Sequence, residues 1–139
     1  MKKVPLLAAS VVLGAATLTG CAGTAYAGND CLIGQPTIQA LSPDRVSGYV
    51  TVTCKTQPKT QTLALKIQHQ RAGASAWSTV STNPPDSNPV GPERRFSITA
   101  PCSPGKWRMV IAVSGVSSTG KQFDSGEQPS PKETEIKKC

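Results

Sequence analysis

The stretch that decides the fold is "GYVTVTC", residues 48–54, in which apolar and polar side chains alternate. Valines and the cysteine occupy the even positions, and tyrosine and threonines occupy the odd ones. Because successive side chains of a β-strand point to opposite faces, this period of two predicts a strand with one buried face. Valine, threonine and tyrosine also pack well on a pleated surface.

The same alternation recurs along the rest of the chain. It is clear in "TLALKIQHQ" (62–70), "RFSITA" (95–100) and "KWRMVIAVSG" (106–115), and weaker in 36–42, 76–81, 121–126 and 132–139. Turn-forming Gly, Pro, Asn and Ser separate these segments. We predict an all-β fold, an antiparallel immunoglobulin-like β-sandwich of about seven short strands, in one domain over residues 31–139. The resemblance to immunoglobulin domains lies in strand count and spacing, since their usual Cys–Trp–Cys pattern is missing.

Four cysteines lie in this domain: Cys31, Cys54, Cys102 and Cys139. Their spacings of 23, 48 and 37 residues lack the close pairs that a zinc site uses. An even number of cysteines in an exported chain indicates two disulfides, for which three pairings exist. If neighbouring strands are antiparallel, the start of one lies beside the end of the next. That rule predicts the pairs Cys31–Cys54 and Cys102–Cys139.

The fifth cysteine, Cys21, follows an uncharged apolar segment that itself follows two lysines. The residues before it, "LTG" (18–20), are one branched apolar residue and two small ones. This arrangement resembles the lipobox of bacterial lipoproteins, over the first 21 residues only. The resemblance implies a signal peptide over 1–20, a diacylglyceryl group with palmitate-type chains on the Cys21 thiol, and a short tether over 21–30. Such a chain is exported and held by its lipid at the extracytoplasmic face of the cell membrane.

A second cleavage site competes with the lipobox. "AYA" (25–27) before Gly28 has the A-x-A form that ordinary signal peptidase recognises. Cleavage after Ala27 would discard Cys21 and release a secreted protein. We favour the lipobox because it directly follows the apolar segment, as a processing site does.

The charge pattern argues against a nucleic-acid partner. The chain carries 15 Lys+Arg and 8 Asp+Glu; without Lys2 and Lys3 the balance is 13 against 8, a net +5. These cations are scattered, and the chain has six aromatic residues, whereas nucleic-acid binders cluster both on one face. We expect instead a membrane partner through the lipid anchor, with an acidic envelope polymer or another surface protein as a further partner.

Sequence motifs for catalysis or cofactors are absent. The single histidine, His69, ends an apolar strand pattern, and no G-x-S-x-G or phosphate-binding glycine loop occurs. We therefore expect a non-enzymatic protein without metal or cofactor.

The proline-rich stretch "NPPDSNPVGP" (83–92) is the most distinctive loop, and Pro85 and Asp86 are its candidate contact residues. Arg94 and Arg95 follow it, and together they predict an electropositive site for an acidic ligand. Trp77 lies in a poorly apolar segment and is a candidate stacking platform for a sugar ring.

These features favour a cell-envelope lipoprotein that displays a small β-domain for binding or structural duty. Two alternatives stay open. One is a secreted effector or protease inhibitor that presents the 83–92 loop. The other is a phage-type exclusion lipoprotein that blocks a surface receptor.

Overall fold

The computed structural model describes residues 23–27, 30–41 and 43–139, so the signal segment and Cys21 lie outside the described residues. The described chain is all-β. Its eleven strands are β1 (Gly23–Tyr26), β2 (Cys31–Gly34), β3 (Thr37–Leu41), β4 (Arg45–Cys54), β5 (Thr60–Gln70), β6 (Ser78–Thr82), β7 (Glu93–Pro101), β8 (Gly105–Val116), β9 (Gln122–Asp124), β10 (Gln128–Pro129) and β11 (Thr134–Ile136). No helix of the described residues is long and apolar enough to cross a membrane.

The first sheet is built around β4. Strands β2 and β3 pair with consecutive parts of one edge of β4, and β7 pairs with the other edge along its whole length. Strand β1 extends the sheet from β2. All of these pairings are antiparallel.

The second sheet is built around β5 and β8, which pair antiparallel from Thr60 opposite Val116 to Gln70 opposite Lys106. Strand β6 pairs with the other edge of β5, with a register shift that leaves Val80 unpaired. Strands β9, β10 and β11 follow one another along the outer edge of β8. The strand number exceeds the predicted seven because the outer edges of both sheets are divided into short segments.

The two sheets share one buried apolar cluster. Alternate residues of the long strands supply it, and the largest fully buried side chains include Trp107, Leu63, Ile67 and Met109. Gly48 marks the contact between the sheets, since a Cβ there would lie 2.9 Å from Sδ of Met109. Burial of each large apolar side chain contributes about 1.5–3 kcal/mol, so this cluster is the main source of stability.

The predicted disulfide pairing is confirmed. Cys31 lies directly opposite Cys54 in the β2–β4 register, and the two form one disulfide. Cys102 lies just before β8 and Cys139 just after β11, two strands that are antiparallel neighbours, and these cysteines form the other. Two disulfides indicate an oxidising, extracellular environment.

The all-β class, the antiparallel pairing and the two disulfides are therefore confirmed, whereas the specific immunoglobulin-like arrangement stays a prediction. One boundary differs from the expectation. The segment predicted as a tether contains β1, whose four residues pair with β2. Its small residues give no alternation, so long-range pairing rather than local pattern makes it a strand.

Candidate functional site

The proline-rich loop lies against the second sheet. Its backbone follows β6 along the same edge of β5 and continues the hydrogen bonding to that strand. The N–H of Asn83 donates to the carbonyl of Leu65 at 3.0 Å, and Leu63 and Asp86 exchange two backbone hydrogen bonds of 2.9 and 2.8 Å. The Asn83 side-chain amide donates to the Ser97 carbonyl at the free edge of β7. Pro85 is exposed between these attachments.

An ion pair between Asp86 and Arg94 ties the loop to β7. Nη1 of Arg94 lies 3.0 Å from Oδ1 of Asp86, and Nη2 lies 2.5 Å from Oδ2, which is bidentate geometry. The hydrogen bond from Arg94 lowers the pKa of the Asp86 carboxyl, and the backbone N–H of Asn88 adds to the effect. The Arg94 guanidinium also lies 4.6 Å from the centre of the Phe96 ring.

Arg95 lies on the opposite face of β7, with its guanidinium 4.3 Å from the centre of the Tyr49 ring. The two guanidinium groups therefore do not form one cluster, and the binding of an acidic ligand by Arg94 and Arg95 stays a prediction. Adjacent residues of a strand point to opposite faces, so their guanidinium groups diverge. In addition, Asp86 neutralises Arg94.

A groove of about 340 Å³ lies where the loop meets β7. Its lining combines the apolar residues Leu63, Leu65, Pro84 and Phe96 with the polar residues Asn83, Asp86, Arg94, Arg95 and Ser97. An anionic ligand at Arg94 would compete with the Asp86 carboxylate, which already accepts from both Nη atoms. The groove therefore has several polar lining residues, of which Arg94 and Asp86 are already paired with each other.

Trp77 is half-buried, and the guanidinium of Arg108 lies 4.3 Å from the centre of its ring. Nε of Arg108 donates to Oε1 of Gln68 at 2.8 Å, and the Gln68 amide donates to Thr79 at 3.2 Å. One face of the indole is therefore covered by a hydrogen-bonded side chain. A sugar ring could stack only on the other face.

The titratable residues of the described chain show no catalytic grouping. Nε2 of His69 lies 2.9 Å from the Pro104 carbonyl oxygen, and its ring packs 4.6 Å from that of Trp107. In the described ranges, no group of three or more His, Cys, Asp or Glu residues could hold a metal ion.

The N-terminal strand is the element that sequence reasoning missed. The Tyr26 hydroxyl donates to Oε1 of the buried Gln61 at 2.8 Å, and its ring lies 5.8 Å from that of Phe123. Ala27 is 2% exposed, and the Asp30 carboxylate accepts hydrogen bonds from the backbone and hydroxyl of Ser118. Burial raises the pKa of Tyr26 to about 12, against the lowering effect of its bond to Gln61. In the sequence, the single tyrosine among small residues is the one feature that could have indicated a packed strand here.

Neither a protein-family profile nor a characterised protein sequence matches the chain. A solved structure that matches is a β-glucosidase from Kluyveromyces marxianus, at 15% identity and a TM-score of 0.32. The match covers 68% of this chain and spans 15% of the length of that one. At this TM-score the likeness supports no conclusion about fold or activity.

Proposed function

We propose that the protein is a non-enzymatic cell-envelope lipoprotein. In this proposal the lipid on Cys21 holds the chain at the extracytoplasmic face of the membrane. The two-sheet domain, an immunoglobulin-like sandwich, is displayed outside for binding or structural duty. The support from sequence is the "LTGC" motif after a charged start and an apolar segment.

The structural observation that supports the proposal is that β1 lies between the two possible cleavage sites. Cleavage after Ala27 would remove β1 and with it the Tyr26 hydroxyl that satisfies buried Gln61. A hydrogen bond contributes about 0.5–1.5 kcal/mol net, and the four residues of β1 also pair with β2, so their removal would lower the small net stability of the domain. Cleavage before Cys21 instead leaves the whole folded domain intact. The position of β1 therefore supports cleavage at the lipobox.

Substitution of the anchor residue tests the proposal. We expect the wild-type chain to incorporate labelled palmitate and to sediment with membranes, because its lipid partitions into the bilayer. The Cys21→Ser variant should incorporate none. The Thr19→Ser variant, which keeps a small residue in the motif, is the matched control and should be labelled normally. Equal labelling of wild type and Cys21→Ser would contradict the proposal.

A second candidate, a secreted protease inhibitor, is favoured by how firmly the 83–92 loop is held. The Asp86–Arg94 pair secures its first half, and buried Val90 and a hydrogen bond from Gln57 to Gly91 secure its second half. A loop that is already ordered loses less entropy when a protease binds it. Inhibition of extracellular proteases by the purified protein, lost in the Asp86→Ala variant, would support this candidate. Full protease activity at excess protein would exclude it for the proteases assayed.

A further inference from the structure

The first sheet begins almost at the proposed lipid. Only Ala22 separates Cys21 from Gly23, the first residue of β1. Two residues span at most about 7 Å, so no long tether separates the domain from the bilayer. If Cys21 carries the lipid, which is the proposed function on which this inference rests, β1 at the edge of the first sheet begins close to the headgroups.

The surface of that sheet that points away from the core is here called the outer face. It is formed by alternate residues of β2, β3, β4 and β7. Three large apolar side chains of the described chain are exposed, and two of them, Leu32 (46%) and Leu41 (41%), lie on this face. Leu32 is opposite Thr53 and Leu41 is opposite Arg45, so about 26 Å of β4 separates the two leucines.

The charges of the outer face are unbalanced. Its cations are Arg45, which donates to the Thr99 hydroxyl at 2.7 Å, and Arg95, which lies over the Tyr49 ring. Neither has a carboxylate within ion-pair distance in the described structure. Glu93 is the single carboxylate on the strands of this face.

Two of the three cations on the strands of the opposite surface, on the second sheet, lie close to carboxylates. Lys66 pairs with Glu127, and Lys106 lies 3.7 Å from Glu133. Arg108 covers Trp77 and donates to Gln68. Anionic headgroups would therefore gain less from this surface, because two of its three cations already have carboxylate partners.

We infer that the outer face of the first sheet docks on the anionic phospholipid surface in which the Cys21 lipid is anchored. Arg45 and Arg95 bind headgroup phosphates, since a guanidinium matches phosphate geometry. Leu32 and Leu41 enter the interfacial layer at the two ends of the face. The domain therefore lies on the membrane along the first sheet and presents the second sheet outward.

Hydroxyl-radical footprinting of the membrane-purified protein tests this orientation. The protein is placed in phosphatidylglycerol-containing vesicles and, for comparison, in detergent micelles, and flotation first checks that it is bound. We expect vesicles to reduce oxidation of Leu32, Leu41 and Tyr49, while Val80 and Trp77 of the second sheet react equally in both. A chain that does not float refutes lipid anchoring, and with it this inference. A chain that floats with Leu32, Leu41 and Tyr49 fully reactive refutes the docked orientation alone.

A charge variant tests the role of the arginines. Each cation near an anionic surface contributes about 1 kcal/mol. The double variant Arg45→Gln plus Arg95→Gln removes two such cations. Each loss should lower the ratio of docked to undocked protein about fivefold at low salt. The protection of Leu32 and Leu41 should fall accordingly. The matched control, Lys66→Gln plus Lys106→Gln, removes the same charge from the second sheet and should leave the protection unchanged. Equal effects of the two variants would overturn the assignment of the arginines to the headgroups.

Discussion

The Tyr26 hydroxyl donates a 2.8 Å hydrogen bond to Oε1 of Gln61, which joins the N-terminal strand to the second sheet across 35 residues of sequence. Gln61 is 8% exposed, so water cannot readily replace this donor. The bond thus makes residues near the proposed processing site part of the domain. The choice between the two cleavage sites becomes a question of stability as well as of location.

Removal of this hydroxyl should destabilise the domain. We expect Tyr26→Phe to lower the free energy of unfolding by about 1–3 kcal/mol, because the buried Gln61 oxygen loses its donor. Urea denaturation measures the change. Tyr49→Phe on the outer face is the matched control and should stay within about 0.5 kcal/mol of wild type. Equal stabilities of the two variants would show that the bond contributes nothing.

The raised pKa of Tyr26 predicts a loss of stability at alkaline pH. The phenol titrates at about 12 in the folded chain and near 10 when unfolded, so between these values the unfolded state binds fewer protons. Its contribution is complete below pH 10 and is lost as the pH rises through 12. Between pH 9 and 12, the free energy of unfolding should therefore fall less steeply with pH for Tyr26→Phe than for wild type. Parallel pH profiles would contradict this assignment.

The Asp86–Arg94 pair predicts a shift in a carboxyl titration. Because the folded pKa of Asp86 lies below its ordinary value, the pair stabilises the fold above that ordinary value and loses its effect as the pH falls through the folded pKa. Arg94→Gln should raise the Asp86 pKa, as followed by NMR of the carboxyl carbon. It should lower stability at neutral pH by about 1 kcal/mol or less, since both side chains are about a third exposed. Arg95→Gln, on the other face, should leave the Asp86 pKa unchanged; a shift equal to that of Arg94→Gln would argue against the ion pair.

Each disulfide should contribute substantially to stability. The bonds join residues 23 and 37 positions apart, for which the chain-entropy model gives about 3–4 kcal/mol each. We expect Cys31→Ser plus Cys54→Ser, and likewise Cys102→Ser plus Cys139→Ser, to lower the free energy of unfolding by that amount. Peptide mapping of the unreduced wild type should recover both predicted pairs. A peptide linking Cys54 to Cys102 would contradict the pairing.

Local pattern predicted the parts of this fold that depend on strand parity. The buried even face of 48–54 and the disulfide pairs follow from alternation and antiparallel order. The opposite directions of Arg94 and Arg95 follow from the same rule, although the sequence analysis treated them as one site. The ion pair of Arg94 with Asp86 and the contact of Tyr26 with Gln61 could not be predicted. They depend on which strands become neighbours in space, and local alternation carries no information about that.

The intact mass of the mature protein tests the central claim most directly. The protein is extracted from membranes, and the mass is measured before and after alkaline hydrolysis of ester-linked fatty acids. We expect a chain that begins at Cys21 and carries a diacylglyceryl group, with a loss of mass on hydrolysis that corresponds to its acyl chains. An unmodified chain that begins at Gly28 and is recovered from the medium would contradict the account.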